Sequence, residues 1–405
     1  MPTAPIVSEP SPPSPAPGRD QRVTAIGPNW FACVMGTGIV ANAGAVLPFH
    51  LAGRSSFVLT VWIVAASLLI ALVVATLAHW VRHPAIARSH GRDLAMAPFY
   101  GAPPMALLTV GAGALLVGYR LIGLRAAVDA DWVLWIAGTV LGLLSATVMP
   151  YRLFTHGETR ARDAAFGGWL MPIVPPMVSA ATGALLIPHV ASRSGRASLL
   201  YGCYALFGLS LIASIIVITL IWGRLARHGS DDAPRVPTLW IVLGPLGQSI
   251  TAAGLLAANA HLAVEPTFAA AMVVFGVLYG VPVWGFALLW CGLASAITVR
   301  AARRGLRFAL NWWSFVFPVG TVVTGTVRLA IETDLAVFRW ASAGAYVLLL
   351  AAWLTVAIRT IRSTARGEFS VPLLVATSTP PEAPPLPAVA CRRAPGQFNG
   401  FTLPG

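Results

Sequence analysis

The chain has 405 residues, of which 57% are hydrophobic and only 10% charged, with a mean hydropathy of +0.76. A soluble domain carries roughly 25% charged residues, so a water-soluble globular fold is excluded. The apolar runs are long and lack the ten-residue alternation of a membrane barrel, so the class is helical membrane protein. All 27 basic residues are Arg and none is Lys, which excludes a Schiff-base lysine and a lysine-bearing phosphate loop.

Residues 1–22 hold seven prolines and no apolar signal-peptide core, which reads as a disordered tail. Ten apolar spans follow at about 28–48, 57–78, 96–118, 132–154, 167–188, 199–222, 237–260, 268–299, 311–332 and 336–361. Each is long enough for a hydrocarbon core roughly 30 Å thick. The expected organisation is a transmembrane domain over 23–363, followed by a second Pro-rich disordered tail over 364–405.

The loops and tails that share a side with the N-terminus hold 20 of the Arg residues, and the opposite side holds 7. By the positive-inside rule both termini are cytoplasmic. This asymmetry accounts for most of the net charge of +13, so no nucleic-acid partner is needed.

A pattern recurs along the odd spans: an aromatic, then Pro or Thr, then a small residue seven positions on. The five copies are Trp30…Thr37…Gly44, Phe99…Pro104…Gly111, Trp169…Pro176…Gly183, Trp240…Pro245…Ala252 and Trp313…Pro318…Gly325. The central anchors are 67, 72, 69 and 73 residues apart, the near-constant step of a repeated unit. Proline concentrates in these odd spans, with Pro104, Pro176, Pro245 and Pro318 expected to kink them, while span two has neither Gly nor Pro. A backbone that lacks a hydrogen bond is tolerated in a membrane only inside the protein or beside water. The expected fold is therefore five helical hairpins, with the odd helices in an inner ring around a pore and the even helices outside.

Just before the anchors stand Gly36, Pro103, Pro175, Gly244 and Phe317. Only the last has a bulky side chain, so Phe317 is a candidate plug; packing is the plainer reading of such a ring. Four and seven residues past these positions come Ser179 and Thr182, Gln248 and Thr251, and Thr321 and Thr324. With Thr37 nearby, these side chains can line a path for anions by offering neutral donors. Back-bonding to helix carbonyls is the competing reading of each. The first two repeats put Val40, Ala43, Leu107 and Val110 at those offsets, with Asn42 and Thr109 close but off register. Arg328 extends the Phe317–Thr321–Thr324 face and reads either as an anion-attracting group at the outer mouth or as the partner of Glu332. No Asp or Glu is expected within an apolar run, Glu332 at the end of span nine being the nearest, which argues against a cation path.

Cys33, Cys203, Cys291 and Cys391 show no paired spacing, and the i, i+4 pair His79 and His83 reads best as interfacial polar residues. Neither a metal nor any other cofactor is expected. No paired carboxylates or His cluster support a membrane enzyme.

At Trp30-Phe31…Met35-Gly36-Thr37-Gly38, Trp169-Leu170-Met171-Pro172…Pro175-Pro176 and Trp312-Trp313-Ser314-Phe315-Val316-Phe317-Pro318, the chain resembles the tellurite-resistance/dicarboxylate transporter family. That family includes bacterial tellurite-resistance proteins, yeast malate and sulfite transporters and plant slow-type anion channels. The resemblance covers about 27–362 and implies five inner and five outer helices, one pore per subunit of a homotrimer, and a gating Phe that falls on Phe317. The substrates it implies are C4-dicarboxylates such as malate, sulfite, chloride, nitrate or tellurite. The expectation is an inner-membrane anion transporter or channel, with a proton-coupled dicarboxylate carrier as the alternative.

Overall fold

The computed structural model describes residues 22–24, 26–90, 96–156, 165–230, 233–368 and 370–372. Helices account for nearly all of it. They are α1 (Phe31–Val46), α2 (Arg54–Arg82), α3 (Pro84–Ser89), α4 (Ala102–Gly113), α5 (Tyr119–Ile122) and α6 (Leu124–His156). There follow α7 (Pro175–Leu186), α8 (Arg193–His228), α9 (Leu243–Ala260), α10 (Pro266–Arg303), α11 (Phe317–Thr333) and α12 (Ala336–Ala365). Separately from this helical unit, β1 (Arg22–Thr24) pairs antiparallel with β2 (Ser370–Pro372). β1 falls where the first segment read as a tail meets the domain, and β2 falls within the second; residues 1–21, 369 and 373–405 lie outside the described residues.

Among the described residues, nine helices are long and apolar enough to cross a membrane. The fifth span differs from its sequence reading. It is a 3-10 turn at Gly167–Leu170, an irregular stretch, then the 12-residue α7. The inner spans share this construction: 3-10 turns at Pro28–Trp30, Ala97–Gly101, Ala233–Val242 and Leu310–Phe315 lead into α1, α4, α9 and α11.

This construction corrects the expected role of the prolines. Pro104, Pro176, Pro245 and Pro318 all lie within the first three residues of their α-helices. There the missing N–H has no intrahelical partner to lose, so these residues start helices rather than kink them. The segregation of proline is also incomplete, because Pro150 lies inside α6 as Pro282 lies inside α10.

Burial separates the two classes. In the four inner spans whose 3-10 turn runs directly into the α-helix, 61% to 89% of the most apolar stretch is buried; in the outer spans α2, α6, α8, α10 and α12 the share is 17% to 28%. The inner helices close on themselves: α1 packs on α4, α4 on α7, α7 on α9, α9 on α11, and α11 on α1. Indole N–H groups tie the outer layer to it. Trp62 of α2 donates to Val110 O of α4 (3.1 Å), and Trp135 of α6 to Ser179 O of α7 (2.9 Å). Trp284 of α10 donates to Thr326 Oγ1 of α11 (2.9 Å), and Trp353 of α12 to Thr37 Oγ1 of α1 (3.2 Å). Each bond runs from an outer helix to the next inner one, and the last joins the end of the domain to its beginning. With almost no competing donors in lipid, such bonds are satisfied internally or not at all.

Small residues let the inner backbones touch. A Cβ on Gly247 would stand 2.4 Å from backbone atoms of Thr321 and Val322, and one on Gly325 would stand 2.8 Å from Gly247 O. Gly247→Ala is therefore expected to destabilise the fold by about 1–3 kcal/mol, the usual cost of overpacking. Gly244→Ala, whose added Cβ meets nothing within 4 Å, should leave stability unchanged. Melting of the two detergent-solubilised variants checks this, and equal melting temperatures would refute the close approach of α9 and α11.

Candidate functional site

Inside the inner ring lie two cavities. The first, of about 10 Å³, is enclosed by apolar groups: Met35, Met105, Met171, Val174, Ile241 and Phe317, with Gly244, Ser314 and Pro318. Since a single water needs at least about 10–15 Å³, this level holds at most one. The second, of about 120 Å³, is lined by residues farther along the same helices, among them Asn42, Thr109, Thr182, Gln248, Thr251, Thr324 and Arg328. Phe317 lines both and is the one lining residue the two cavities share.

The position of Phe317 follows from the break in its span. The 3-10 turn Leu310–Phe315 ends at Val316, with φ −94° and ψ −67°, and α11 begins at Phe317 itself. The side chain is 2% exposed. Pro318 follows in the first turn, where its ring is compatible with helix but not with a continuous helix from before. Eleven residues on, roughly 16 Å along the axis at 1.5 Å per residue, Arg328 closes the far end of the larger cavity.

Of the predicted polar lining, Thr182, Gln248, Thr251 and Thr324 line the larger cavity with Arg328. Thr37, Ser179 and Thr321 line neither cavity. Thr37 accepts from Trp353 of α12, which draws it toward the outer layer. The one hydroxyl proton of Thr321 is taken up by Pro318 O of its own helix (2.7 Å) and Leu243 O of α9 (3.1 Å). Ser179 is fully buried, with no hydrogen-bond partner for Oγ. Asn42 and Thr109, off the sequence register, do line the cavity, and Asn42 Nδ2 donates to Thr109 O at 3.0 Å. Met35 and Met171 fall inside the quoted motifs but no sequence signal marks them, or Met105, as lining residues, because an apolar residue in an apolar span says nothing of which way it faces.

The hydroxyls do not behave as free donors. Thr109 donates to Met105 O (2.6 Å), Thr182 to Val178 O (2.9 Å) and Thr324 to Thr321 O (3.0 Å). Thr251 reaches Gly247 O (3.0 Å) and shares a 2.8 Å contact with Thr324 Oγ1. Each proton is thus committed within the protein, and the cavity meets lone pairs. Donors come from two other groups. Gln248 is buried, and neither end of its amide has a hydrogen-bond partner among the described residues. Arg328 pairs through Nη2 with Glu332, donates from the same nitrogen to Gly254 O (3.4 Å), and keeps an unpartnered Nε. Both members of that ion pair are largely buried, at 15% and 12% side-chain exposure. The Arg328 side chain packs against Gly254, where an added Cβ would come within 3.2 Å of its Cβ and Nε.

One carboxylate corrects the sequence reading. Span four is read from about 132, yet the helix begins at Leu124, just after Gly123 turns the chain with φ 81°. Asp131 consequently sits inside a membrane-spanning helix, fully buried, with no partner for either oxygen. It abuts Gly111 of α4 and lines neither cavity. His79 and His83 have ring centroids 5.6 Å apart. Among the described residues no group of His, Cys, Asp or Glu is placed to hold a metal ion.

A family model described as voltage-dependent anion channel matches residues 25–361. The chain belongs to this family. Relatives include the sulfite efflux pump SSU1 of Arthroderma otae, 23% identical, with 84% of this chain and 91% of the relative covered. An uncharacterized transporter of Methanocaldococcus jannaschii is also 23% identical, over 84% of this chain and 95% of its own. The malic acid transport protein of Schizosaccharomyces pombe is 20% identical, over 88% of this chain and 82% of its own. The family is described as one of anion channels and the relatives as transport proteins, as the motif resemblance implied.

The threonine pair across α9 and α11 gives a prediction. Thr251→Val and Thr324→Val in a double-mutant cycle should show a coupling of ~0.6 kcal/mol, the usual size for interhelical hydrogen bonds in membranes. Strictly additive losses, read by melting in detergent, would refute the contact.

Proposed function

We propose that the chain moves small anions across a cell membrane along the axis of the inner ring, and that Phe317 closes the path. Anions gather at the Arg-rich side, which we take as cytoplasmic with both termini, pass the methionine level and enter the larger cavity beyond Phe317. What carries this reading is that Phe317 is the shared wall of two cavities in series. A conduit with a ring at its narrowest level stops ions by excluding water and leaving no room. The Gln248 and Arg328 donors beyond it offset part of the dehydration cost, and the Glu332 partner keeps the guanidinium from holding an anion too tightly.

The names of the relatives put sulfite and malate first in the panel, with chloride, nitrate and tellurite added by the resemblance. The same resemblance supports a homotrimer with one pore per subunit, bilayer lipid around it and no cofactor; the mass of the detergent-purified protein tests the assembly. A proton-coupled carrier is the second reading, and the buried, unpartnered Asp131 favours it. Its absence from the cavity lining weighs against it.

Reconstitution in liposomes tests the proposal. Phe317→Ala should raise anion flux roughly tenfold or more, equivalent to removing about 1.4 kcal/mol from a barrier. Unchanged flux in a variant with wild-type melting behaviour would refute the gate. Flux indifferent to a pH gradient would remove the proton-coupled reading.

A further inference from the structure

We infer that the larger cavity selects a singly charged oxyanion that still carries an acidic O–H, and that the anion brings its own proton through the membrane. The inference rests on the conduit reading above. Three features carry it: hydrogen-bond complementarity, charge and size.

Complementarity comes first. Four hydroxyls line the cavity: Thr109, Thr182, Thr251 and Thr324. All have committed their protons to backbone carbonyls or to each other. They present acceptors, and turning any of them inward costs a bond in surroundings with little water to replace it. The donors are Gln248 Nε2, the second N–H of Asn42 Nδ2 and the guanidinium of Arg328, none fully used by the protein, while the unpartnered amide oxygens of Asn42 and Gln248 add acceptors. A ligand that only accepts, such as chloride or nitrate, matches the donors and opposes the hydroxyls. A hydrogen-oxyanion matches both: its charged oxygens accept from Gln248 and Arg328, and its O–H donates to a threonine lone pair.

Charge points the same way. Arg328 is already paired with Glu332, and the pair is largely buried. A single negative charge added to this near-neutral pair is a tolerable burial; a dianion leaves a second charge with no counterion, at far greater cost. Size narrows the class further. The cavity of about 120 Å³ is somewhat smaller than the roughly 150 Å³ that accommodates benzene, so it admits about four to six heavy atoms. Hydrogen sulfite fits that description.

The proton balance is simple. The anion enters protonated, crosses as a unit, and releases the proton when it re-equilibrates on the far side. No side chain needs to titrate. The charged groups at the cavity are Arg328 and Glu332 of α11; α1, α4, α7 and α9 add no titratable group to its lining. Asp131 of α6 stands behind α4 against Gly111.

The test uses the full chain in proteoliposomes, with membrane potential clamped and a pH dye inside. Sulfite, nitrate and chloride are supplied across a range of external pH. Sulfite flux should follow the singly protonated fraction, falling as pH rises through its second ionisation, and the lumen should acidify as sulfite enters. Nitrate and chloride flux should be about tenfold lower, the ratio set by one lost hydrogen bond to a charged partner, and flat with pH. Asp131→Asn should keep the sulfite pH profile, and Thr182→Val should narrow the gap between sulfite and nitrate. Equal flux of all three anions at every pH would overturn this inference and leave the conduit reading intact. Loss of the pH profile in Asp131→Asn would overturn it in favour of a titrating side chain. Flux of none of the three would defeat the conduit reading as well.

Discussion

A bilayer offers almost no hydrogen bonds, and the architecture depends on that constraint. A helix interrupted in lipid must hide its unpaired backbone groups from hydrocarbon. Five spans of this chain are interrupted where a 3-10 turn gives way to an α-helix, and these are the spans that close into the inner ring. The uninterrupted helices are left outside, with large apolar side chains such as Ile70, Val74, Leu278 and Val347 exposed. The same interruptions put Phe317 at the first position of α11, at the narrowest level of the ring.

Close packing then sets the chemistry of the site. Gly247 and Gly325 let α9 and α11 approach backbone to backbone, and the Arg328 side chain packs against Gly254. Gln248, Thr251, Thr324 and Arg328 are thereby gathered on one wall of one cavity, from two helices. The approach also commits hydroxyl protons, because Thr251 and Thr324 come near enough to bond each other. A polar lining that looks generous in sequence thus becomes four hydroxyl acceptors set against donors from Asn42, Gln248 and Arg328. The balance of donors and acceptors, more than the count of polar residues, decides which anion is comfortable there.

Much of this was legible in the chain itself. Hydropathy identified a helical membrane protein, and the 67–73-residue step between aromatic–proline anchors marked the helices that turned out most buried. Phe317 stood out because its four counterparts are Gly or Pro. Other features were not legible. Thr37 and Thr321 sit at plausible offsets, yet their hydroxyls are turned to Trp353 and Leu243. The expectation of no carboxylate within a span missed Asp131, because charge lowers hydropathy while the helix boundary follows turn geometry at Gly123. The methionines of the first cavity carried no sign of facing it, although Met35 and Met171 lie within the quoted motifs.

Class, span order and the ranking of inner and outer helices were determined by the sequence alone, since each follows from local polarity and from where Gly and Pro interrupt the backbone. Only the tertiary structure decided which polar groups face the cavity, which have already spent their protons, and that a carboxylate lies buried beside α4. Those outcomes depend on contacts between residues some seventy positions apart, such as Thr251 with Thr324. A one-dimensional pattern records the spacing of such residues but not the rotation of the helices that brings them together.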